Sequence, residues 1–216
     1  MDIRFVGLTG LLLKTSKATV VIDPLAFGTG ARGQTNEADI VILSRPDSPY
    51  YSTEKVKAGY TISNPGEYEV KGVMVFGYPV VEEGKTSIVY EIIADGISLL
   101  HLGALAKKPK NGLFEELGTV DILATPVGGM FSIDAKLAKE FVQELEPQIV
   151  IPVNYQVEGL SAELKAGLAP LKEFLTEMDA KSVTPEVKLK IDRTQIRRGE
   201  ERKTEVVILT PSAFKS

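Results

Sequence analysis

Residues 40–43 read IVIL and residues 44–50 read SRPDSPY, so a continuous apolar run passes directly into a polar loop. An apolar run of this length is typical of a strand that is buried on both faces of a sheet. The loop carries a permanent cation, Arg45, and a carboxylate, Asp47, two residues apart. The segment therefore predicts a buried β-strand that delivers the chain into a loop with charged side chains.

Similar strand-like segments surround this run and dominate the first two-thirds of the chain. Asp95-Gly96 lies between two of them and predicts a hairpin turn, because aspartate and glycine accommodate the positive φ that such a turn requires. The predicted strands cover residues 3–6, 11–13, 19–22, 40–43, 59–62, 68–70, 73–78, 87–93, 97–101, 120–123, 149–153, 187–191 and 205–209.

Helical patterns come later in the chain. Asp134 is placed to cap a helix that ends before Pro147, and Pro170 fits the first turn of a second helix over residues 171–178. A shorter helix is predicted at residues 113–117. Strands followed by strands that alternate with helices predict sheets with helices packed on their outer faces. Because no repeat or low-complexity linker divides the chain, we expect one domain over residues 1–216.

Composition excludes several classes of site and partner. The chain has no cysteine, which excludes disulfides, thiolate zinc sites and cysteine nucleophiles. Neither a secretory signal nor an apolar run that could span a bilayer is present, so we expect a cytoplasmic protein without membrane contact. The net charge of −4 argues against nucleic acid as a partner. The basic segment 193–203 is interrupted by Glu200 and Glu201 and predicts a solvated hairpin turn.

Two motifs that could carry chemistry are weak. Residues 28–33 have the G-x-G-x-x-G spacing, but no helical pattern follows them to hold an anion, so they predict a surface loop. His101 is the single histidine, and no G-x-S-x-G elbow presents a serine to it. A zinc site requires three or four converging donors. Taken alone, His101 at the end of an apolar strand is more typical of a hydrogen-bonded structural residue.

The order of several short motifs adds a resemblance. The motifs are VIDPL at 21–25, NPGEYEV at 64–70, SLLHLGAL at 98–105, the loop at 121–134 with PVGG, and PQIVIPVNY at 147–155. Together they resemble the short, single-domain branch of the metallo-β-lactamase superfamily, often described as predicted zinc-dependent hydrolases. The resemblance implies an α/β fold, a four-layer αββα sandwich of two mixed β-sheets flanked by helices. In that fold we expect the strands at 187–191 and 205–209 to complete the second sheet.

The metal-binding positions that the resemblance implies mostly lack donor atoms here. Leu8 stands where the family has a turn histidine. Arg45 occupies another of these positions, and an arginine cannot ligate zinc because it is permanently protonated. Only His101 and Asp47 remain as weak ligand candidates, so we expect no cofactor. The positions of the former metal-site cleft are Arg45, Asp47, Pro49, Tyr50, His101, Ala104 and Asn154. Further cleft-lining candidates are Asp23, Glu67, Tyr68, Gly128 and Gly129.

Two arrangements of this cleft stay open from the sequence. In the first, Arg45 pairs with Asp47 and replaces metal charge, while His101 and Asn154 hydrogen-bond to each other or to water. In the second, the cleft has collapsed and Tyr50 or Tyr51 packs into it.

Two functions from different classes follow from this interpretation. The first is a degenerate, non-catalytic member that binds or interacts through the old cleft, its ligand unknown, as a homo-oligomer or beside a paralogous partner. The second is a metal-dependent hydrolase with an atypical single zinc site around His101 and Asp47.

Overall fold

The computed structural model of the protein describes residues 1–82, 85–109, 112–180, 182–197 and 203–214. Within these residues the strands are β1 (Asp2–Gly7), β2 (Gly10–Lys14), β3 (Thr19–Ile22), β4 (Glu37–Ile42), β5 (Lys57–Ile62), β6 (Gly66–Val70), β7 (Val73–Glu82), β8 (Lys85–Ala94), β9 (Ile97–His101), β10 (Ile122–Pro126), β11 (Ile149–Val153), β12 (Leu189–Lys190) and β13 (Glu205–Val206). The helices are α1 (Leu113–Glu116), α2 (Ala135–Leu145), α3 (Ala162–Gly167) and α4 (Leu171–Glu177). A single 3₁₀ turn covers Arg193–Gln195.

These strands form two mixed sheets. In the described part of the chain the first sheet has the order β12-β1-β2-β3-β4-β5, and the second has the order β13-β11-β10-β9-β8-β7-β6. Strands β3, β4 and β5 run parallel, as do β9, β10, β11 and β13, and the other neighbours are antiparallel. The predicted α/β sandwich of two mixed sheets is confirmed, although its helices are few and short.

Burial explains which segments became central strands. Every residue of β9, β10 and β11 is buried, as expected for parallel strands covered on both faces. The edge strands β5 and β6 are largely exposed. One hydrophobic core joins the inner faces of both sheets, with Phe5 and Ile22 from the first and Ile92 and Leu99 from the second. Burial of such side chains contributes roughly 1.5 to 3 kcal/mol each.

The helix α2 packs against the second sheet and shows how the sequence sets its start. The Asp134 side chain accepts a hydrogen bond from the backbone N–H of Leu137 at 2.9 Å, so the predicted cap is confirmed. The apolar face of α2 contacts β10 and α4. Phe141 of this face meets Phe114 edge to face at 4.9 Å between ring centroids.

Turn predictions agree with the structure in two places. Asp95 and Gly96 have φ values of 53° and 73° between β8 and β9, the conformation that the Asp-Gly pair favours. Residues 28–33 form a loop without a following helix, so the surface-loop interpretation is confirmed. The predicted turn around residue 199 lies outside the described residues. None of the described helices combines the length and apolar character that crossing a membrane demands.

Other predictions were wrong in detail. Strand β12 lies beside β1 in the first sheet and does not complete the second, because Ile3 pairs with Leu189 and Asp2 with Lys190. An ion pair of 2.6 Å between Lys188 and Asp2 holds this edge together. Pro170 is the N-cap residue immediately before α4 and is not part of its first turn. The helix α3 was not predicted, since six residues are too short to display a helical period.

The parallel strands bring one set of loops together. The residues after β3 and β4 leave the first sheet at one edge, and the residues after β9, β10 and β11 leave the second sheet at its corresponding edge. The turn between β1 and β2, residues 7–10, reaches across to the second sheet through two hydrogen bonds described below. Loops at the carboxyl ends of parallel strands are where sites in α/β proteins usually lie.

Candidate functional site

A cavity of about 240 Å³ opens where these loops meet. Its wall is formed by the loop after β4, by the residues after β10 and by α3, and its floor by the turn at residue 8 and the ends of the second sheet. The lining residues are Leu8, Arg45, Asp47, Ser48, Pro49, Tyr50, Tyr51, Ala104, Met130, Phe131, Asn154, Leu164 and Leu168. The cavity therefore contains Arg45, Asp47, Pro49, Tyr50, Ala104 and Asn154, six of the positions that the resemblance assigned to the former metal cleft.

His101 lies behind this cavity and does not line it. The residue is completely buried at the end of β9, and its Nε2 lies 2.8 Å from the carbonyl oxygen of Thr9. The Gly103 N–H donates to its Nδ1 at 3.2 Å. A carbonyl oxygen only accepts and an N–H only donates, so the ring is the neutral tautomer that carries its proton on Nε2. Both ring nitrogens are thus bonded to backbone groups.

Burial lowers the pKa of His101 below its ordinary value. Desolvation is the dominant cause, because it penalises the imidazolium, and it outweighs the opposite effects of the Asp23 carboxylate and the Thr9 carbonyl. The neutral ring that the hydrogen bonds require is therefore also the form that the environment favours. His101 here is a hydrogen-bonded residue of the core, as its isolated position in the sequence indicated.

Asp23 is the buried carboxylate beneath the site. It is completely buried after β3 and has a left-handed φ of 47°. Its oxygens accept hydrogen bonds from the Thr9 hydroxyl at 2.6 Å, the Ser44 hydroxyl at 2.6 Å and the Ser44 N–H at 2.7 Å. A buried carboxylate requires such compensation. The Asp23 network ties the turn at residue 9, the end of β3 and the start of the loop after β4 into one unit.

Tyr51 closes the cavity from the side of this network. Its side chain is buried, and burial raises the pKa of its hydroxyl far above the ordinary value, with a further contribution from the Asp23 carboxylate. Tyr50 remains half-buried and stacks on Phe131, with ring centroids 5.3 Å apart and planes inclined by 29°. The rings of Tyr50 and Phe131 form an aromatic wall of the cavity, the Tyr50–Phe131 wall.

Asn154 and Leu8 form the floor in unusual conformations. Their φ values are 51° and 49°, in the left-handed region that is uncommon for residues other than glycine. The Asn154 N–H donates to the Leu8 carbonyl at 2.6 Å, and the Asn154 side-chain amide donates to the Ser132 hydroxyl at 2.8 Å. Left-handed residues cost about 1 to 2 kcal/mol each and tend to cluster at functional sites. Their position on the cavity floor supports a role for this region.

Arg45 is the cationic group of the cavity. The side chain is half-buried, and its Nε is buried without an acceptor among the described residues. No described carboxylate lies within ion-pair distance of its guanidinium, and Asp47, which also lines the cavity, is exposed. Cation and carboxylate are therefore neighbours in the loop that do not pair.

Neither arrangement expected from the sequence is present in full. The Arg45–Asp47 pair does not form, and His101 bonds to Thr9 and Gly103 instead of to Asn154. The second expectation holds for Tyr51, which is packed inside, but the cleft has not collapsed, since a cavity remains in front of it. The reason is geometric: the Thr9 carbonyl and the Gly103 N–H occupy both nitrogens of His101, and the Asn154 side-chain amide donates to the Ser132 hydroxyl.

The remaining candidates lie outside the cavity lining. Glu67 and Tyr68 belong to the edge strand β6, where the Tyr68 hydroxyl donates to the Asn64 carbonyl. Asp23 is part of the buried network. Gly128 packs against Asn154, so closely that a Cβ on it would lie 2.2 Å from the Asn154 carbonyl oxygen. Gly129, next to it, has φ 66° and leads directly to Met130.

Sequence reasoning missed the apolar part of the site. Met130 and Phe131 follow Gly128-Gly129 directly, so their place after that turn was a usable signal. Leu164 lies in α3, and Leu168 is the residue that ends this helix. The helix is too short to show a periodic apolar pattern. Ser48 and Tyr51 lie in the same loop as the predicted residues.

The donors of this chain do not fit a catalytic zinc ion. Among the described residues, no group of three or more histidine, cysteine, aspartate or glutamate side chains is placed to hold a metal. His101 has both nitrogens occupied by backbone partners, and a guanidinium stands in the cavity where a dication would be repelled. A stable zinc site needs three to four strong donors.

Comparison with known proteins identifies relatives over most of the chain. A family model described as the beta-lactamase superfamily domain matches residues 2–154. A UPF0173 metal-dependent hydrolase of Thermococcus onnurineus is 27% identical over 190 residues, which cover 72% of this chain and 84% of that protein.

Solved structures agree with this comparison. A Thermotoga maritima protein, proposed to be a Zn-dependent hydrolase of the metallo-β-lactamase superfamily, is 29% identical with a TM-score of 0.77 and covers 97% of this chain and 99% of its own. Igni18, a metallo hydrolase from Ignicoccus hospitalis, has a TM-score of 0.65 at 15% identity, over 83% of this chain and 90% of its own, and supports the fold alone.

The names of these relatives bear on the two functions expected from the sequence. Both relatives are named as metal-dependent hydrolases, one of them as a proposed one. These names fit the expected hydrolase with a single zinc site better than the expected non-catalytic member, and they fit a metal cofactor better than none. The donor set around His101 and Asp47 points the other way. The relatives and the local geometry therefore support different functions for this cavity.

Proposed function

The chain belongs to the β-lactamase superfamily domain family, and we propose that it is a member that binds a small molecule in its cavity without a catalytic metal ion. On this proposal the protein is a pseudoenzyme, which keeps the superfamily's sandwich and uses the cleft at the strand ends for recognition. Function resides in the side chains of a site and not in the fold that carries them, so relatives with hydrolase names are compatible with this difference.

The observation that carries the proposal is the state of His101. Its Nε2 donates to Thr9 and its Nδ1 accepts from Gly103, so a metal ion would have to break one of these buried hydrogen bonds to reach a lone pair. A broken bond would leave a buried backbone group unsatisfied, which costs about 1 to 3 kcal/mol. His101 is also the single histidine, so no other imidazole can replace it as a ligand.

The cavity itself supports recognition of a small molecule. Its volume of about 240 Å³ lies just below the roughly 300 to 1,000 Å³ of ordinary ligand pockets. The lining combines apolar side chains with a few polar groups, among them Arg45, Asp47, Ser48 and Asn154, which is the usual composition of such pockets.

A second candidate is favoured by the relatives' names, a metal-dependent hydrolase with one metal ion around His101 and Asp47. It requires the imidazole to release the Thr9 carbonyl or the Gly103 N–H. It also requires Asp47, which is exposed, to point towards the interior.

Metal content separates the two candidates. The protein is purified without chelators, and zinc, manganese and iron per chain are measured by mass spectrometry for the wild type, His101→Gln and Asp47→Asn. We expect less than about 0.1 metal ion per chain and no rise in melting temperature with zinc, because an ion that binds only the folded state would stabilise it. About one ion per chain that both substitutions remove would favour the hydrolase and contradict the proposal.

A further inference from the structure

Arg45 gives the cavity a charge preference that the proposed function leaves open. Resting on that function, we propose that the cavity binds a compact organic anion, whose carboxylate or phosphate group pairs with Arg45 and whose apolar part lies against the Tyr50–Phe131 wall. The proposal names a ligand class for the cavity and assigns Arg45 as the residue that selects it.

The unsatisfied guanidinium is the first argument. Arg45 Nε is buried, and no acceptor among the described residues takes its hydrogen. Buried polar groups are almost always paired, and a buried donor without a partner costs free energy. The arginine fork is suited to two parallel hydrogen bonds with the oxygens of a carboxylate or phosphate. Because the buried Nε is closed to solvent, an anionic ligand in the cavity would pair with the terminal nitrogens of the same guanidinium, which belongs to a residue that lines the cavity.

The shape of the neighbouring surface is the second argument. Tyr50 and Phe131 stack beside Arg45's loop, and Phe131 keeps 39% of its surface exposed. Leu164 and Leu168 are buried and close the opposite side. An apolar surface of this kind next to a cation fits a ligand that has a charged end and an aromatic or aliphatic body. The small volume limits that body to about one ring.

The acidic neighbours decide how strong the preference is. Asp47 lines the cavity, is exposed, and repels an anion across solvent. Asp23 lies outside the lining, and its oxygens are already engaged by Thr9 and Ser44. Water weakens the charge of the exposed Asp47 more than that of the half-buried Arg45, so the cation dominates contacts inside the cavity. Removal of the Asp47 charge is therefore expected to strengthen anion binding.

Titration calorimetry with three matched probes tests the proposal. Benzoate and phenyl phosphate supply the two anionic groups on one ring, and benzyl alcohol is their neutral counterpart. The protein is first stripped of metal with a chelator, which is then removed. We expect at least one of the anions to bind at least about tenfold more tightly than benzyl alcohol, as for a charge-assisted bidentate contact. The tighter of the two identifies the group that Arg45 prefers.

Three substitutions locate the effect. Arg45→Met is expected to weaken binding of the preferred anion about tenfold and to leave benzyl alcohol unchanged. Arg32→Met removes an exposed arginine outside the cavity lining and serves as the matched control, with affinity within about twofold of the wild type. Asp47→Asn is expected to raise anion affinity about two- to threefold. Thermal melting of each variant checks that it is folded.

Defined outcomes overturn the proposal. Equal affinity for benzyl alcohol and both anions in the wild type contradicts it without reference to any variant. Anion affinity that Arg45→Met leaves intact contradicts it as well. Failure here is distinct from failure of the proposed function: a protein without metal that does not prefer anions refutes only the ligand class. A protein with stoichiometric metal whose stripped form still binds anions through Arg45 refutes only the absence of metal.

Discussion

At the scale of single residues, four residues join the loops that surround the cavity. Thr9, Asp23, Ser44 and His101 connect loops of both sheets through buried hydrogen bonds of 2.6 to 2.8 Å. Charge-assisted bonds to a buried carboxylate contribute about 1.5 to 3 kcal/mol each. These hydrogen bonds therefore help to hold the loops around the cavity in place.

His101 makes this network sensitive to acid. Its pKa in the folded protein lies below the ordinary 6.5 because of burial, so below pH 6.5 the unfolded chain takes up a proton that the folded chain does not. The stability that the neutral ring contributes is present above pH 6.5 and is lost as pH falls towards the pKa of the folded protein, with a slope of at most about 1.4 kcal/mol per pH unit. We expect wild-type stability, measured by urea unfolding from pH 7 to pH 5, to decline more steeply than that of His101→Gln.

His101→Gln is itself the control for the wild type, since every other titrating group is common to both proteins. Parallel stability profiles of wild type and His101→Gln would show that the ring does not resist protonation, and would contradict the buried neutral tautomer.

The residue scale also shows what a sequence can provide. Arg45 and Asp47 both line the cavity, and the sequence indicated their shared loop because a buried strand leads directly into it. The partners of His101 could not be predicted, because Thr9 lies 92 positions away and the contact depends on how the two sheets face each other. The absence of an Arg45–Asp47 ion pair could not be predicted either. A spacing of two residues permits the pair, but the conformation of the loop keeps the two side chains apart.

At the scale of elements, close backbone approaches fix the cavity floor. The turn between β1 and β2 is bonded to the residue after β11 through Leu8 and Asn154, and Gly128 after β10 packs against the same Asn154. A side chain at Gly128 has no room, because the nearest atom is a backbone oxygen that cannot move aside. The loops after β10 and β11 can therefore pack this closely only because Gly128 has no Cβ.

Gly128→Ala is expected to destabilise the protein by about 1 to 3 kcal/mol, as for overpacking of a tight site, and to weaken ligand binding with it. Gly33→Ala is the matched control, because a Cβ there meets nothing within 4 Å, and its stability is expected to change by less than about 0.5 kcal/mol. Denaturant unfolding of both variants provides the comparison. Equal stability of the two would refute the close approach.

Elements with strong patterns were predictable and short ones were not. The buried parallel strands and the capped helix α2 agree with the sequence because their apolar residues repeat over enough positions. The two-residue strand β12 joined the first sheet, since a segment this short is assigned by its partner β1 and not by its own pattern. The six-residue helix α3, which provides part of the cavity wall, was missed for the same reason.

At the scale of the whole molecule, fold and site lead to separate conclusions. The two mixed sheets, the family match over residues 2–154 and the TM-score of 0.77 to the Thermotoga maritima protein place the chain in its superfamily. The cavity lies at the strand ends, and its lining carries the Arg45 guanidinium together with the exposed Asp47 carboxylate. The same architecture thus supports a site that, on our proposal, attracts an anion directly instead of through a metal ion.

The most direct test is a crystal structure of the protein soaked with zinc and with whichever of benzoate and phenyl phosphate binds more tightly, with diffraction recorded at the zinc absorption edge. We expect density for the charged group of that anion against the Arg45 guanidinium and no anomalous zinc peak within the cavity. A zinc peak between His101 and Asp47, with the Thr9 hydrogen bond broken, would contradict this expectation.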